Sequence, residues 1–158
     1  MNDTYHEFFN IVTKVLPKDL QATAWEEMLA FVDGEFLDSI DFMEAFHEII
    51  TELDYWIYFQ GSVKDAEVDE DVAMLNGLAE TQGLPGDFLW SREDHPDEGC
   101  LEAIDAYSDW LKPHGFCFIH WVSGYAEYCG TIVKQSDVED LFKLAGKAKI
   151  DIRMTLFK

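Results

Sequence analysis

The sequence predicts an α+β fold, with one mixed β-sheet of about four to five strands covered by helices and a helical N-terminal third. Apolar residues recur at helical spacing through that N-terminal third. Residues 112–134 contain two apolar, aromatic runs separated by Ser123-Gly124, the pattern of a C-terminal β-hairpin. A helical pattern and then a strand pattern follow the hairpin. No repeat or long linker divides the chain, so we expect residues 1–158 to form a single domain.

Three helices are predicted in the N-terminal third. They cover residues 3–15, residues 20–31, and a segment that starts at Ser39 or Asp41 and ends near Leu53. Pro17 ends the first helix, Asp19 can cap the second, and Gly34 breaks the second. Each helix carries large apolar residues on one face, which we expect to pack in the core.

The middle and the end of the chain mix strands and helices. The predicted elements are a strand at 55–59, a helix at 72–79, a brief strand at 88–90, an acidic loop at 92–99, a helix at 101–111, the hairpin, a helix at 138–148 and a strand at 150–157. Because a helix separates the hairpin from the last strand, we expect that strand to return beside the hairpin through a right-handed crossover.

Charge is the most unusual property of the composition. The chain has 32 acidic against 11 basic residues, a net charge of −21. Such a charge disfavours nucleic acid and anionic membranes as partners and favours a basic protein or cations, although a merely soluble surface has the same composition. No segment is apolar enough to span a bilayer, the N-terminus lacks a signal-peptide pattern, and three cysteines fit reduced thiols. We therefore expect a cytoplasmic protein.

Candidate metal ligands occur at unsuitable spacing. Four residues of zinc-ligand type lie close together in the sequence, His114, Cys117, His120 and Cys129, but Cys117 and His120, three apart in a strand, point to opposite faces. An EF-hand-like series of carboxylate and hydroxyl residues has Leu37 and Asp38 where a ligand and a glycine are required. That series consists of Asp33, Glu35, Ser39, Asp41 and Glu44. We predict no metal and no cofactor.

Catalytic motifs are missing from the sequence. It has no G-x-S-x-G, no glycine-rich phosphate loop and no H-E-x-x-H. His95 lies between Asp94 and Asp97, which would suit proton transfer, but no nucleophile lies near it in the sequence. We predict no catalytic residue.

An acidic run is the stronger signal. Between residues 65 and 111 there are 14 acidic residues and one base, Arg92, which gives a net charge of −13. A partner that neutralises this charge would relieve its repulsion and associate faster. Aromatic side chains could serve as apolar anchors, or belong to the core. The predicted partner-binding residues are Asp65, Glu67, Asp69, Glu70, Asp71, Glu93, Asp94, Asp97, Glu98, Trp110 and Tyr125.

Four segments resemble the second half of a bacterial family of uncharacterised domains, numbered 6630. They are residues 71–78, residues 83–85, residues 111–120 and residues 136–152. The resemblance implies an α+β fold and transfers no activity. This chain has Val-Ser-Gly-Tyr-Ala-Glu-Tyr where such domains would have a Gly, Ser and Asp-rich hairpin turn.

Two classes of function remain. The first is a stoichiometric protein binder, similar to the immunity proteins that neutralise a basic bacterial toxin, for example a nuclease. The second is an enzyme or small-ligand module with a site at the sheet edge, near Trp121, Tyr125 and Tyr128. The lopsided charge favours the first.

Overall fold

The computed structural model describes residues 2–53, 57–60, 68–91, 93–98, 100–122 and 127–154, with side chains undescribed at residues 2, 57–60, 68, 100, 101, 127 and 128. Six helices lie in these ranges: α1 (Asn2–Val12), α2 (Lys18–Phe31), α3 (Ser39–Thr51), α4 (Val68–Thr81), α5 (Cys100–Leu111) and α6 (Val138–Ala148). The strands are β1 (Ile57–Gln60), β2 (Phe116–Trp121), β3 (Glu127–Lys134) and β4 (Ile152–Arg153). The α+β class and the helical N-terminal third are confirmed.

The start of α2 corrects the predicted cap. The helix begins at Lys18 directly after Pro17, which is the N-cap residue and makes no side-chain capping bond. Asp19 therefore lies inside the first turn instead of capping it. At that position its negative charge still interacts favourably with the positive end of the helix dipole.

The start of α3 has side-chain hydrogen bonds in both directions. The Asp38 carboxylate, at the N-cap, accepts from the Asp41 backbone N–H at 2.9 Å. The Asp41 carboxylate in turn accepts from the Leu37 backbone N–H at 3.1 Å. The first bond satisfies a donor of the helix terminus and the second holds the residue before the cap, so together they fix the entry into α3.

The sheet has the strand order β1-β3-β2-β4, and β4 is only two residues long. The hairpin is confirmed: β2 pairs with β3 in antiparallel register from Phe116 opposite Lys134 to Trp121 opposite Cys129. The prediction of a mixed sheet is wrong, since every pair among the described strands is antiparallel. Strands β3 and β4, which α6 connects, run in the same direction. They are not hydrogen-bonded to each other, because β4 lies beside β2.

Two predicted strands differ in the structure. Residues 88–90 form no strand, because the backbone of Phe88 is hydrogen-bonded by the Asn76 side chain. The strand predicted at 150–157 is limited to β4 within the described residues, and residues 155–158 lie outside them. Of the strand predicted at 55–59, residues 57–59 lie in β1 and residues 55 and 56 are outside the described residues.

Helices cover both faces of the sheet. Tyr107 of α5 contacts Phe118 of β2, with ring centroids 6.4 Å apart, so α5 lies on the face that bears Phe118. Adjacent strand residues point to opposite faces, and on the other face Val133 borders a cavity with Ile11 of α1. Helix α1 also packs against α6. The buried apolar side chains form one cluster that runs from Tyr5 to Ile152.

Candidate functional site

The first turn of α4 carries three of the predicted partner-binding carboxylates. Asp69 and Glu70 are exposed to solvent, whereas Asp71 is buried, with 8% of its surface exposed. Negative charge in the first turn complements the helix dipole, which offsets part of the repulsion among the three. The predicted residues Asp65, Glu67 and Tyr125 lie outside the described residues.

The loop before α5 holds the next group of predicted residues in a defined conformation. Glu93, Asp94 and Asp97 are exposed. The Ser91 hydroxyl donates to the Asp94 carboxylate at 3.1 Å. His95 Nδ1 lies 2.6 Å from the Glu98 carboxylate.

The ring of His95 also stacks on Trp90, with centroids 4.6 Å apart. This stack anchors the loop on a tryptophan that is itself buried. His95 therefore has a structural environment: one face on an indole and one nitrogen on a carboxylate.

Trp110 lies at the border between core and surface. Its ring packs against Tyr107 at 5.6 Å and against Phe88 at 5.9 Å between centroids, and the side chain is half-buried. His114 covers another part of the indole at 4.7 Å. The aromatic contacts explain most of the burial, so only the remaining exposed part of Trp110 could meet a partner.

A second acidic surface, which the sequence analysis missed, lies in the N-terminal third. Residues 19–53 contain ten acidic residues and no lysine or arginine. Among the described residues, none of the ion pairs involves an acid of this stretch. The same count of acids against bases that found the run at 65–111 would have found this stretch.

Three exposed apolar side chains lie within this second acidic stretch. Phe31, Leu37 and Ile40 expose 52%, 83% and 60% of their surfaces. A shallow hollow of about 450 Å³ lies between the end of α2 and the start of α3. We call this surface the α2–α3 corner. Its hollow is lined by Phe31, Val32, Asp33, Glu35, Leu37, Asp41 and Glu44, and Ile40 belongs to the first turn of α3.

The backbone of the corner turns sharply and is fixed from below. Asp33 and Gly34 have φ of 58° and 95°, and the Gly34 N–H donates to the Leu29 carbonyl at 2.7 Å, which ends α2. Under the corner, Tyr5 packs edge-on against Phe36 and is stacked on Phe42 at 4.9 Å. Burial raises the pKa of Tyr5, and the nearby carboxylates of Asp38 and Asp41 raise it further.

A smaller cavity lies between α5 and the start of β2. It has a volume of about 220 Å³ and is lined by Ile104, Asp105, Ser108, Asp109, Lys112, Phe116, Cys117, Phe118, Gln135 and Met154. Burial raises the pKa of the Cys117 thiol, and the charge of Lys112 acts in the opposite direction. Neither Cys117 nor Cys129 is part of a disulfide in the described structure.

Neither a cluster of metal ligands nor a helix able to span a membrane occurs in the described residues. Within the ranges that the structure describes, no three His, Cys, Asp or Glu side chains are placed to hold a metal ion. This includes the EF-hand-like acids, although Asp33, Glu35, Asp41 and Glu44 do surround one hollow. Across the same ranges, none of the helices has the length and apolar character that crossing a bilayer requires.

Comparison with known proteins identifies a family. The family model described as Domain of unknown function (DUF6630) matches residues 4–155. The predicted resemblance is therefore confirmed, and it extends over nearly the whole chain instead of its second half. No curated protein and no solved structure matches the chain.

Proposed function

The chain belongs to the DUF6630 family of domains of unknown function, and from that premise we propose that it binds a basic protein stoichiometrically. In this proposal it is an immunity-type inhibitor that neutralises a basic bacterial toxin, for example a nuclease. The substrate cleft of a nuclease is cationic because it binds phosphates, and an acidic protein could occupy it. No catalytic role is proposed for any residue of this chain.

One observation carries the proposal: the chain has 32 acidic against 11 basic residues, a net charge of −21, so its own bases are too few to neutralise its carboxylates. Among the described residues, lysine and arginine side chains form ion pairs with the carboxylates of Asp109, Asp137, Glu139 and Asp151. Dense like charge destabilises the folded state through repulsion. A cationic partner would relieve that repulsion, and the long-range field would speed its encounter with the protein.

The predicted contact residues support a role in steering the partner. Asp69 and Glu70 project into solvent from α4, and Asp94 and Asp97 do so from the loop before α5. Exposed charges at the rim of an interface act mainly on the association rate. Asp71, which is buried, is assigned to the folding of α4 in this proposal.

The proposal is tested by capturing the partner. The protein is immobilised and exposed to extract of its native organism in about 50 mM salt, and bound proteins are released with about 500 mM salt. We expect a basic protein that forms a 1:1 complex when both are purified, as measured by light scattering, and whose toxic activity falls on binding. If captured proteins are acidic or neutral, or if the activity of a basic one is unchanged, the proposal fails.

The cavity between α5 and β2 favours a second candidate, a small-ligand site. Its lining combines the apolar side chains of Ile104, Phe116 and Phe118 with polar groups such as those of Asp105 and Ser108. Apolar pockets with a few convergent polar groups are the usual form of such sites, although 220 Å³ is small for one. Titration with indole, followed by the amide NMR signals of residues 104–118, tests this candidate; unchanged signals at millimolar indole would exclude it.

A further inference from the structure

We infer that the α2–α3 corner is a docking surface for a cationic protein segment that carries an apolar anchor side chain. The inference rests on the proposed function, because it takes the docking segment to be part of the basic protein that the chain binds. It assigns the apolar part of the interface to a surface outside the predicted contact residues, since the corner spans residues 31–44 and those residues begin at 65.

The apolar content of the corner is the first argument. Three of the seven exposed large hydrophobic side chains in the described part of the chain lie between residues 31 and 40. Leu37 exposes 83% of its surface directly beside the hollow. Single exposed apolar residues need no explanation, but a group around one hollow is typical of an interaction site.

Charge identifies the occupant. Four carboxylates, those of Asp33, Glu35, Asp41 and Glu44, line the same hollow as Phe31 and Leu37. No lysine or arginine occurs from residue 19 to residue 53, so this stretch supplies no lysine or arginine to neutralise the four carboxylates. A segment with lysine or arginine on either side of an apolar residue would match both features.

The same charge argues against other occupants. A second copy of the chain also carries −21 and would bring acidic surfaces together. Anionic lipid headgroups would be repelled for the same reason. A cationic protein segment is the occupant whose apolar and charged groups both have counterparts at the corner.

The corner is preorganised for binding. Asp38 and Asp41 fix the start of α3 through hydrogen bonds to backbone N–H groups. Phe36 is anchored below by edge-on contacts to Tyr5 and Phe42. A surface that is already ordered loses less conformational entropy when a partner docks, so more of the contact energy appears as affinity.

The test uses a defined probe, the peptide acetyl-Lys-Lys-Trp-Lys-Lys-amide, with acetyl-Lys-Lys-Ser-Lys-Lys-amide as an equally charged control. Binding to the full chain at low salt is followed by amide NMR shifts. We expect the tryptophan peptide to shift residues 31–44 most and to bind at least about threefold more tightly than the serine peptide, because the indole buries apolar surface. No binding, equal affinities, or shifts confined to Asp69, Glu70 and the loop at 93–98 would overturn the inference.

A matched pair of variants isolates the anchor contact. Leu37→Ser removes an exposed apolar side chain from the corner, and Leu89→Ser removes one that is 90% exposed elsewhere. Both should keep the wild-type melting temperature, since neither side chain is packed. We expect Leu37→Ser to weaken the tryptophan peptide at least about threefold and Leu89→Ser to leave it unchanged. Equal effects of the two substitutions would contradict the inference.

The same pair separates failure of the inference from failure of the proposed function. If a basic partner is captured and both variants bind it with equal affinity, the corner is not the docking surface and the proposed function stands. If no basic partner is captured but the tryptophan peptide maps to residues 31–44, the proposed function fails and the recognition chemistry of the corner stands.

Discussion

The side-chain amide of Asn76 holds both backbone groups of Phe88. Asn76 Oδ1 accepts from the Phe88 N–H at 2.9 Å, and Asn76 Nδ2 donates to the Phe88 carbonyl at 2.9 Å. The amide thus takes the place of a neighbouring strand. It fixes the segment after α4 against that helix and positions Phe88 edge-on against Tyr107, with ring centroids 5.1 Å apart.

Replacing this amide should destabilise the fold. We expect Asn76→Ala to lower the free energy of unfolding by about 1–3 kcal/mol, because two partly buried backbone groups lose their partner. Urea unfolding measures the change. Asn10→Ala, at an exposed position of α1, is the control and should change stability by less than about 0.5 kcal/mol. A loss equal to the control would mean that water replaces the amide without cost.

A second prediction concerns two glycines in different environments. A Cβ at Gly130 of β3 would clash with the Ile119 carbonyl oxygen and lie 2.6 Å from Phe118 Cζ, whereas a Cβ at Gly77 of α4 would meet nothing within 4 Å. We expect Gly130→Ala to cost at least about 2 kcal/mol because the strand must shift. Gly77→Ala should raise the free energy of unfolding by about 0.5–1 kcal/mol, since alanine has a higher helix propensity than glycine. Urea unfolding of both variants tests this, and similar values for the two would contradict it.

The buried Tyr107 should make stability depend on alkaline pH. Its hydroxyl donates to the Leu75 carbonyl at 2.9 Å, and burial raises the pKa of Tyr107 above its ordinary value of 10.0. The unfolded chain therefore loses this proton first as pH rises above 10, so stability is complete below that pH and falls above it.

Tyr107→Phe isolates the effect. At pH 7 we expect the free energy of unfolding of the variant to be lower by about 1 kcal/mol, because the hydrogen bond to the Leu75 carbonyl is lost. Above pH 10 the stability of the variant should fall less steeply than that of the wild type, because one titrating group is removed. The difference between the two slopes should be at most about 1.4 kcal/mol per pH unit. Unfolding curves from pH 8 to pH 11 measure both slopes. Parallel slopes would show that Tyr107 ionises equally in both states.

Repulsion along α3 gives a further prediction. Glu44, Glu48 and Glu52 are exposed and four residues apart, so they follow one another along the same side of the helix. Glu48→Lys turns two repulsive pairs into two attractive ones and should stabilise by about 1 kcal/mol at low salt, with a smaller gain at 1 M salt. Glu26→Lys, with no acid three or four residues away in α2, should gain less. Thermal melts at both salt concentrations test this; equal gains would contradict it.

Local patterns in the sequence were sufficient for the helices and the hairpin. Helical spacing of apolar residues predicted α1 to α3, and two β-branched, aromatic runs predicted β2 and β3. The errors came from distant contacts. Residues 88–90 have the composition of a strand, but Asn76, twelve residues before Phe88, supplies its hydrogen bonds. The mixed sheet was wrong because β4 lies beside β2, which no local pattern encodes.

The candidate site could be predicted only in part. Counting charges located Asp69, Glu70 and the loop at 93–98, because exposed acids need no tertiary information. The burial of Asp71 and the exposure of Leu37 were not predictable, because an apolar residue near helices is expected in the core. The turn that ends α2 at Gly34 leaves Leu37 outside.

The association rate with the captured partner is the most direct test of the proposal that the acidic surface binds a basic protein. Two double variants carry the same net charge. One is Asp69→Lys with Glu70→Lys, and the other is Glu139→Lys with Asp140→Lys. Each pair of substitutions changes the net charge of the chain from −21 to −17. Both alter two acids in the first turn of a helix. Stopped-flow or surface measurements at about 50 mM salt would compare them with the wild type. We expect the change in α4 to slow association at least about tenfold and the change in α6 to slow it far less. Equal slowing by both variants would show that only net charge matters, and no slowing by either would contradict the proposed role of the acidic surface.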